Sequence, residues 1–84
     1  MIENEGEDLE QLYWLRLRAT GSRIRERRRQ QDLTQETVAY RAEMSRPQLS
    51  NLERHGKNIT LITLFRIADV LGVHPADLID DRER

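Results

Sequence analysis

The stretch SRPQLSNLERHG, residues 45–56, gathers side chains suited to hydrogen-bonding flat polar edges. Arg46 carries a fork of donors that fits guanine O6 and N7, and Gln48 or Asn51 can pair with adenine N6 and N7. Ser45 and Ser50 can meet either a base or a phosphate. With about 100° between successive helical residues, Leu49, Leu52 and Glu53 share one side. Pro47, Ser50, Asn51 and Arg54 lie opposite, flanked by Arg46 and Gln48. Residues 45–52 contain no Lys, Asp or Glu, the residues that ordinarily solvate an outer face. The chemistry of this edge is that of base reading in a major groove.

Such a helix needs a neighbour to aim it. Thr34 is a helix-capping residue, with Glu36 in the first turn and Val38 and Ala39 turned inward. The helices expected at 34–42 and 45–54 are too closely joined to lie side by side. They suit the steep crossing of a helix-turn-helix. Thr60 caps the strongest helical pattern, Leu61, Leu64, Phe65, Ile67, Ala68 and Leu71, and Gly72 ends it. His74-Pro75 opens a last short helix, PADLI.

Upstream, residues 22–31 read as a polar helix capped by Ser22 and anchored by Ile24. Residues 7–19 read as a further helix from their acidic start and the spacing of Leu9, Leu12 and Tyr13. Leu15, Leu17 and Ala19, however, alternate with arginines as a strand would. Residues 1–6 lack an apolar pattern and are expected to fray. The class is all-α: an N-terminal extension over 1–20, a folded domain over 21–80 and a charged tail over 81–84.

Charge sharpens the reading. Residues 1–10 hold five acids and no base, residues 76–84 are net −2, and residues 11–75 are net +6 within an overall −1. A basic body between acidic ends points to a polyanionic partner. The 84 residues allow one small core and no deep cleft, and the absence of cysteine excludes disulfides and thiolate metal sites. No run has the length of a membrane span, and an acidic N-terminus is the opposite of a signal-peptide start, so a cytoplasmic location is expected.

In order along the chain come LTQETVAYRAEMSRPQLSNLERH and NITLITLFRIADVLGVHPADLI. The Thr-Gln-Glu opening, Ala39, the Leu49-Ser50-x-x-Glu53 pattern, the capped NITL and the IADVLGV ending resemble the phage-repressor and Cro-like helix-turn-helix family. This family is also called the xenobiotic-response-element family, and the resemblance spans about residues 21–80. The LERHGKNITL segment is also similar to controller proteins of restriction–modification systems.

The resemblance implies a compact five-helix, lambda-repressor-like domain that binds operator DNA as a two-fold dimer. It implies that Gln35 touches phosphate or braces a reader, and that Arg46 is the main base reader. Gln48, Ser50 and Asn51 would contact bases or phosphates, and Lys57 and Asn58 would clamp the backbone. Arg28 and Glu53 match a buried structural ion pair. Two positions depart from the family pattern. Glu43 stands where glycine is usual in the turn, and Pro47 stands where a polar reader is common. The ring of Pro47 disfavours helical backbone at Arg46, which shifts the expected cap from Ser45 to Arg46.

Other chemistries fit less well. His55 and His74 lack a ligand partner at helical spacing, no cofactor is implied, and no serine or aspartate lies beside a histidine for nucleophilic catalysis. The chain does not read as an enzyme. RIRERRR reads as a basic helix beside DNA phosphates, with Arg23 as a contact. Tyr13, Trp14 and the leucines around them suit either packing on the chain's own first helix or contact with another chain. The expected function is a sequence-specific DNA-binding transcriptional regulator, a homodimeric repressor, with RNA polymerase as a partner only if it activates. No small-molecule ligand is expected. The other reading is a protein-interaction module of the same fold, such as an antitoxin-like or sigma-factor-binding partner.

Overall fold

A computed structural model of the chain describes residues 5–79, and every structural statement below concerns that span. It holds five helices: α1, Glu5–Gln30; α2, Gln35–Arg41; α3, Arg46–His55; α4, Leu61–Leu71; and α5, Pro75–Ile79. The tail over 81–84 and the first four residues of the segment expected to fray lie outside the described residues.

The two upstream helices expected on either side of Gly21 are one helix of 26 residues, which begins at Glu5 rather than after Gly6. The alternation of leucine and arginine at 15–19 does not make a strand, because no second strand exists among the described residues to pair with it. Ser22 is therefore not a cap. Gly21, between the two expected helices, is buried inside α1, where a Cβ would lie 2.2 Å from the Leu52 carbonyl oxygen. Its bare backbone lets α1 rest on the end of α3. One residue earlier, the buried Thr20 hydroxyl donates to the Arg16 carbonyl at 3.1 Å, which satisfies it within the helix.

Local chemistry sets most of the helix boundaries. Asp32, left-handed at φ 57°, turns the chain out of α1, and the Leu33 amide donates to the Arg28 carbonyl at 3.1 Å. Thr34 and Thr60 accept from the amides three residues on, at 3.1 and 3.2 Å. Gly56 closes α3 and Gly72 closes α4, both left-handed.

These helices enclose one core. Ile24, Leu49, Ile67, Leu78 and Val38 are its largest fully buried side chains, with Ala39, Ala42, Leu52, Leu64, Ala68 and Leu71 around them. Burying each large aliphatic side chain contributes about 1.5–3 kcal/mol. Leu61 and Phe65 share the spacing of the α4 stripe yet are exposed, together with Ile62. They step past the edge of the stripe made by Leu64, Ile67, Ala68 and Leu71, which alone faces α1, α2 and α5.

The turn between α2 and α3 closes without glycine. The Met44 amide donates to the Ala39 carbonyl at 2.9 Å, and Glu43 holds left-handed backbone at φ 60°. A side chain in that conformation costs roughly 1–2 kcal/mol.

Candidate nucleic-acid interface

The inner side of α3 is anchored by a polar cluster at its C-terminal half. Glu53 is buried and accepts from Arg28 Nε at 2.7 Å and Arg28 Nη2 at 3.0 Å. Gln35 Nε2 donates to the same carboxylate at 3.0 Å, and Arg28 Nη1 donates to the Leu33 carbonyl at 2.8 Å. One carboxylate on α3 thus ties down α1 and the first residue of α2. Side-by-side bonds from arginine fix direction as well as distance, so α3 is held in rotation and in tilt. Gln35 is half-buried in this brace.

The front of α3 is built by Ser45, Pro47 and Gln48. Ser45 is the cap, with extended backbone at φ −79° and ψ 156°. Its hydroxyl accepts from the Gln48 amide at 3.2 Å, and Gln48 Oε1 accepts from the Ser45 amide at 2.8 Å. This reciprocal box outweighs the restriction imposed by Pro47, so the cap stays at Ser45 and does not move to Arg46. Arg46 is the first helical residue and Pro47 the second, where its missing amide leaves no bond unmade. The Arg46 side chain is exposed and has no partner among the described residues. The turn directs it away from the core.

A groove between α3, the α2–α3 turn and α4 brings four of the expected residues together: Gln48, Asn51, Lys57 and Asn58. Asn51, Lys57 and Asn58 are exposed, and Asn58 is left-handed at φ 60°. Thr63 and Arg66 line the same groove, and Arg66 Nη2 lies 3.9 Å from Glu43 Oε1. Sequence reasoning missed both. The available signal was that Arg66 is the only base on α4, across from its apolar stripe. Arg46 and the half-buried Ser50 lie on α3 outside this groove.

Arg23 does not join the groove. It is half-buried, and its Nη1 donates to the Leu78 carbonyl at 3.5 Å, tying α1 to α5. His74 Nδ1 accepts from the Ala76 amide at 3.0 Å and serves the start of α5, whereas His55 ends α3. Among the described residues, no three His, Cys, Asp or Glu side chains could hold a metal ion, and no helix is long and apolar enough to cross a membrane.

Comparison with known proteins agrees with this architecture. Residues 24–78 match the helix-turn-helix family. The chain is 44% identical over 59 residues to an uncharacterized HTH-type transcriptional regulator, y4dJ, of Sinorhizobium fredii, spanning 70% of this chain and 77% of that one. It is 33% identical over 61 residues to the control protein C.BamHI of Bacillus amyloliquefaciens, spanning 71% and 75%. The crystal structure of the restriction-modification controller protein C.AhdI from Aeromonas hydrophila superposes with a TM-score of 0.71 at 32% identity. That match covers 74% of this chain and 94% of the other.

Proposed function

The chain belongs to the helix-turn-helix family, as a DNA-binding transcriptional regulator of the phage-repressor and Cro type and not an enzyme, and from that premise we propose how it reads DNA. It binds a palindromic operator as a homodimer, with the N-terminal end of α3 in the major groove of each half-site. Arg46 is the principal base reader, while Ser50 and Asn51 contact neighbouring bases or phosphates. Gln48 contributes through its amide nitrogen, since its oxygen closes the cap box. Lys57, Asn58 and Arg66 hold phosphates along the groove, and these contacts set position while Arg46 sets preference. Gln35 braces Glu53, and Arg23 holds α5 in place.

The observation that carries this reading is the pairing of a rigid back with an open front. Arg28 and Gln35 lock Glu53 from behind, and Arg46 is exposed in the first turn with no partner among the described residues. The apolar face of α4, where Leu61, Ile62 and Phe65 are 68%, 58% and 49% exposed, supports self-association. Bound across a promoter in the cytoplasm, such a dimer represses by occlusion.

Selection of bound sites from random duplex DNA, followed by titration of the winner against salt, tests the proposal. The expected result is a two-fold symmetric consensus with affinity falling steeply with salt, by about 0.9 in the logarithmic slope per phosphate neutralised. A chain that selects no consensus, and captures a protein partner with little salt dependence, would instead be an interaction module.

A further inference from the structure

The loop between α3 and α4 is held more firmly than a simple connection requires. A Cβ on Gly56 would lie 1.9 Å from the Leu17 carbonyl oxygen, so the loop backbone sits directly on the middle of α1. Gly56 and Asn58 are both left-handed, at φ 68° and 60°, and they fix the direction of Lys57 between them. The Lys57 ammonium then lies 5.4 Å from the centroid of the Trp14 ring. Trp14 is 40% exposed, the most covered of the large apolar side chains between Leu9 and Leu15.

An ammonium within about 6 Å of an indole face is attracted by the ring quadrupole. That attraction engages one side of the cation, and its other N–H donors remain available to an oxygen ligand. A lysine on an unrestrained stem loses rotamer freedom when a phosphate fixes it. A lysine already leaning on a ring has lost part of that freedom beforehand.

We propose that Trp14 is a positioning residue, through which the N-terminal half of α1 aims Lys57 at the phosphodiester backbone of bound duplex DNA. The inference rests on the reading of α3 as the DNA-reading helix. It adds to that reading a segment that lies before the matched family region of residues 24–78. Because the target is backbone, Trp14 acts on affinity and leaves sequence preference alone.

The test is a double-mutant cycle in the full chain, measured on duplex DNA of random sequence across a range of salt. Trp14→Leu keeps an apolar filler and removes the π face, and Trp14→Phe keeps an aromatic face. Trp14→Leu is expected to weaken binding by about two- to five-fold, and Trp14→Phe to restore most of the loss. Lys57→Ala should lower the salt slope by about one, and in that background Trp14→Leu should have no further effect. An equal loss from Trp14→Leu in both backgrounds overturns the proposal, as does a Trp14→Leu chain that binds like the wild type. Wild-type binding that is absent or indifferent to salt overturns the DNA reading itself, a result visible before any variant is compared.

Discussion

Arg28 and Glu53, 25 residues apart, meet through two adjacent hydrogen bonds of 2.7 and 3.0 Å, buried between α1 and α3. Removing either partner strands a charge in the interior. Arg28→Ala or Glu53→Ala should cost about 3–5 kcal/mol, read as a lower urea midpoint at unchanged slope. Replacing both with apolar residues of similar volume, Arg28→Met with Glu53→Leu, should recover most of that loss. A single variant that loses under about 1 kcal/mol would show that the pair does not hold α3.

Gly21→Ala offers a test by sign. Helix propensity alone favours alanine by about 1 kcal/mol. The contact with the Leu52 carbonyl, at 2.2 Å from the added Cβ, opposes it. Backbone cannot yield as a flexible side chain can, so a net loss of about 1–3 kcal/mol is expected in thermal or denaturant unfolding. A stabilised Gly21→Ala protein would mean that α1 and α3 can move apart cheaply.

Glu43→Gly relieves the left-handed strain of roughly 1–2 kcal/mol. It gives back about 0.4–1 kcal/mol through the more flexible unfolded chain. The exposed contact with Arg66 at 3.9 Å adds little. A small net gain, about 0.5 kcal/mol, should appear in the unfolding midpoint. A loss instead would assign the Arg66 contact a larger part in the turn.

Arg46→Ala should weaken operator binding by roughly 1–3 kcal/mol and relax preference at a single base position. Site selection with the variant reads this directly. Preference that survives intact removes Arg46 as a reader and leaves it a phosphate contact.

The apolar face of α4 should hold the dimer. Light scattering of the wild type should report twice the 10.0 kDa chain mass, and Phe65→Glu or Leu61→Glu should return it to one chain. A Phe65→Glu protein that remains dimeric shifts attention to the α1 segment around Tyr13. There, removal of residues 1–19 should abolish the dimer.

Much of the molecule was legible because its punctuation is local. Thr34, Thr60, Gly56 and Gly72 act within one turn of themselves, so their spacing alone marks α2, α3 and α4. What escaped depends on neighbours. Ser22 reads as a helix cap until the Leu52 carbonyl is seen to need the missing Cβ of Gly21 within one continuous helix. Leu61 and Phe65 have the spacing of a buried stripe, and no pattern says that the fold stops short of covering them. The cap at Ser45 turned on a contest between a proline effect and two reciprocal hydrogen bonds between Ser45 and Gln48, and the bonds prevailed. At the site, the sequence marked the residue types on α3, whereas the arrival of Arg66 in the same groove is a product of the fold.

The contacts of Gly21 with α3 and of Gly56 with α1 carry one more consequence. With backbone resting on backbone at both places, α3 cannot roll to suit a different arrangement of base pairs. A duplex docked there meets a stiff template, and any misfit must be absorbed by bending or twisting of the DNA. Operator choice would then depend on base steps that no side chain touches, through the ease with which they deform.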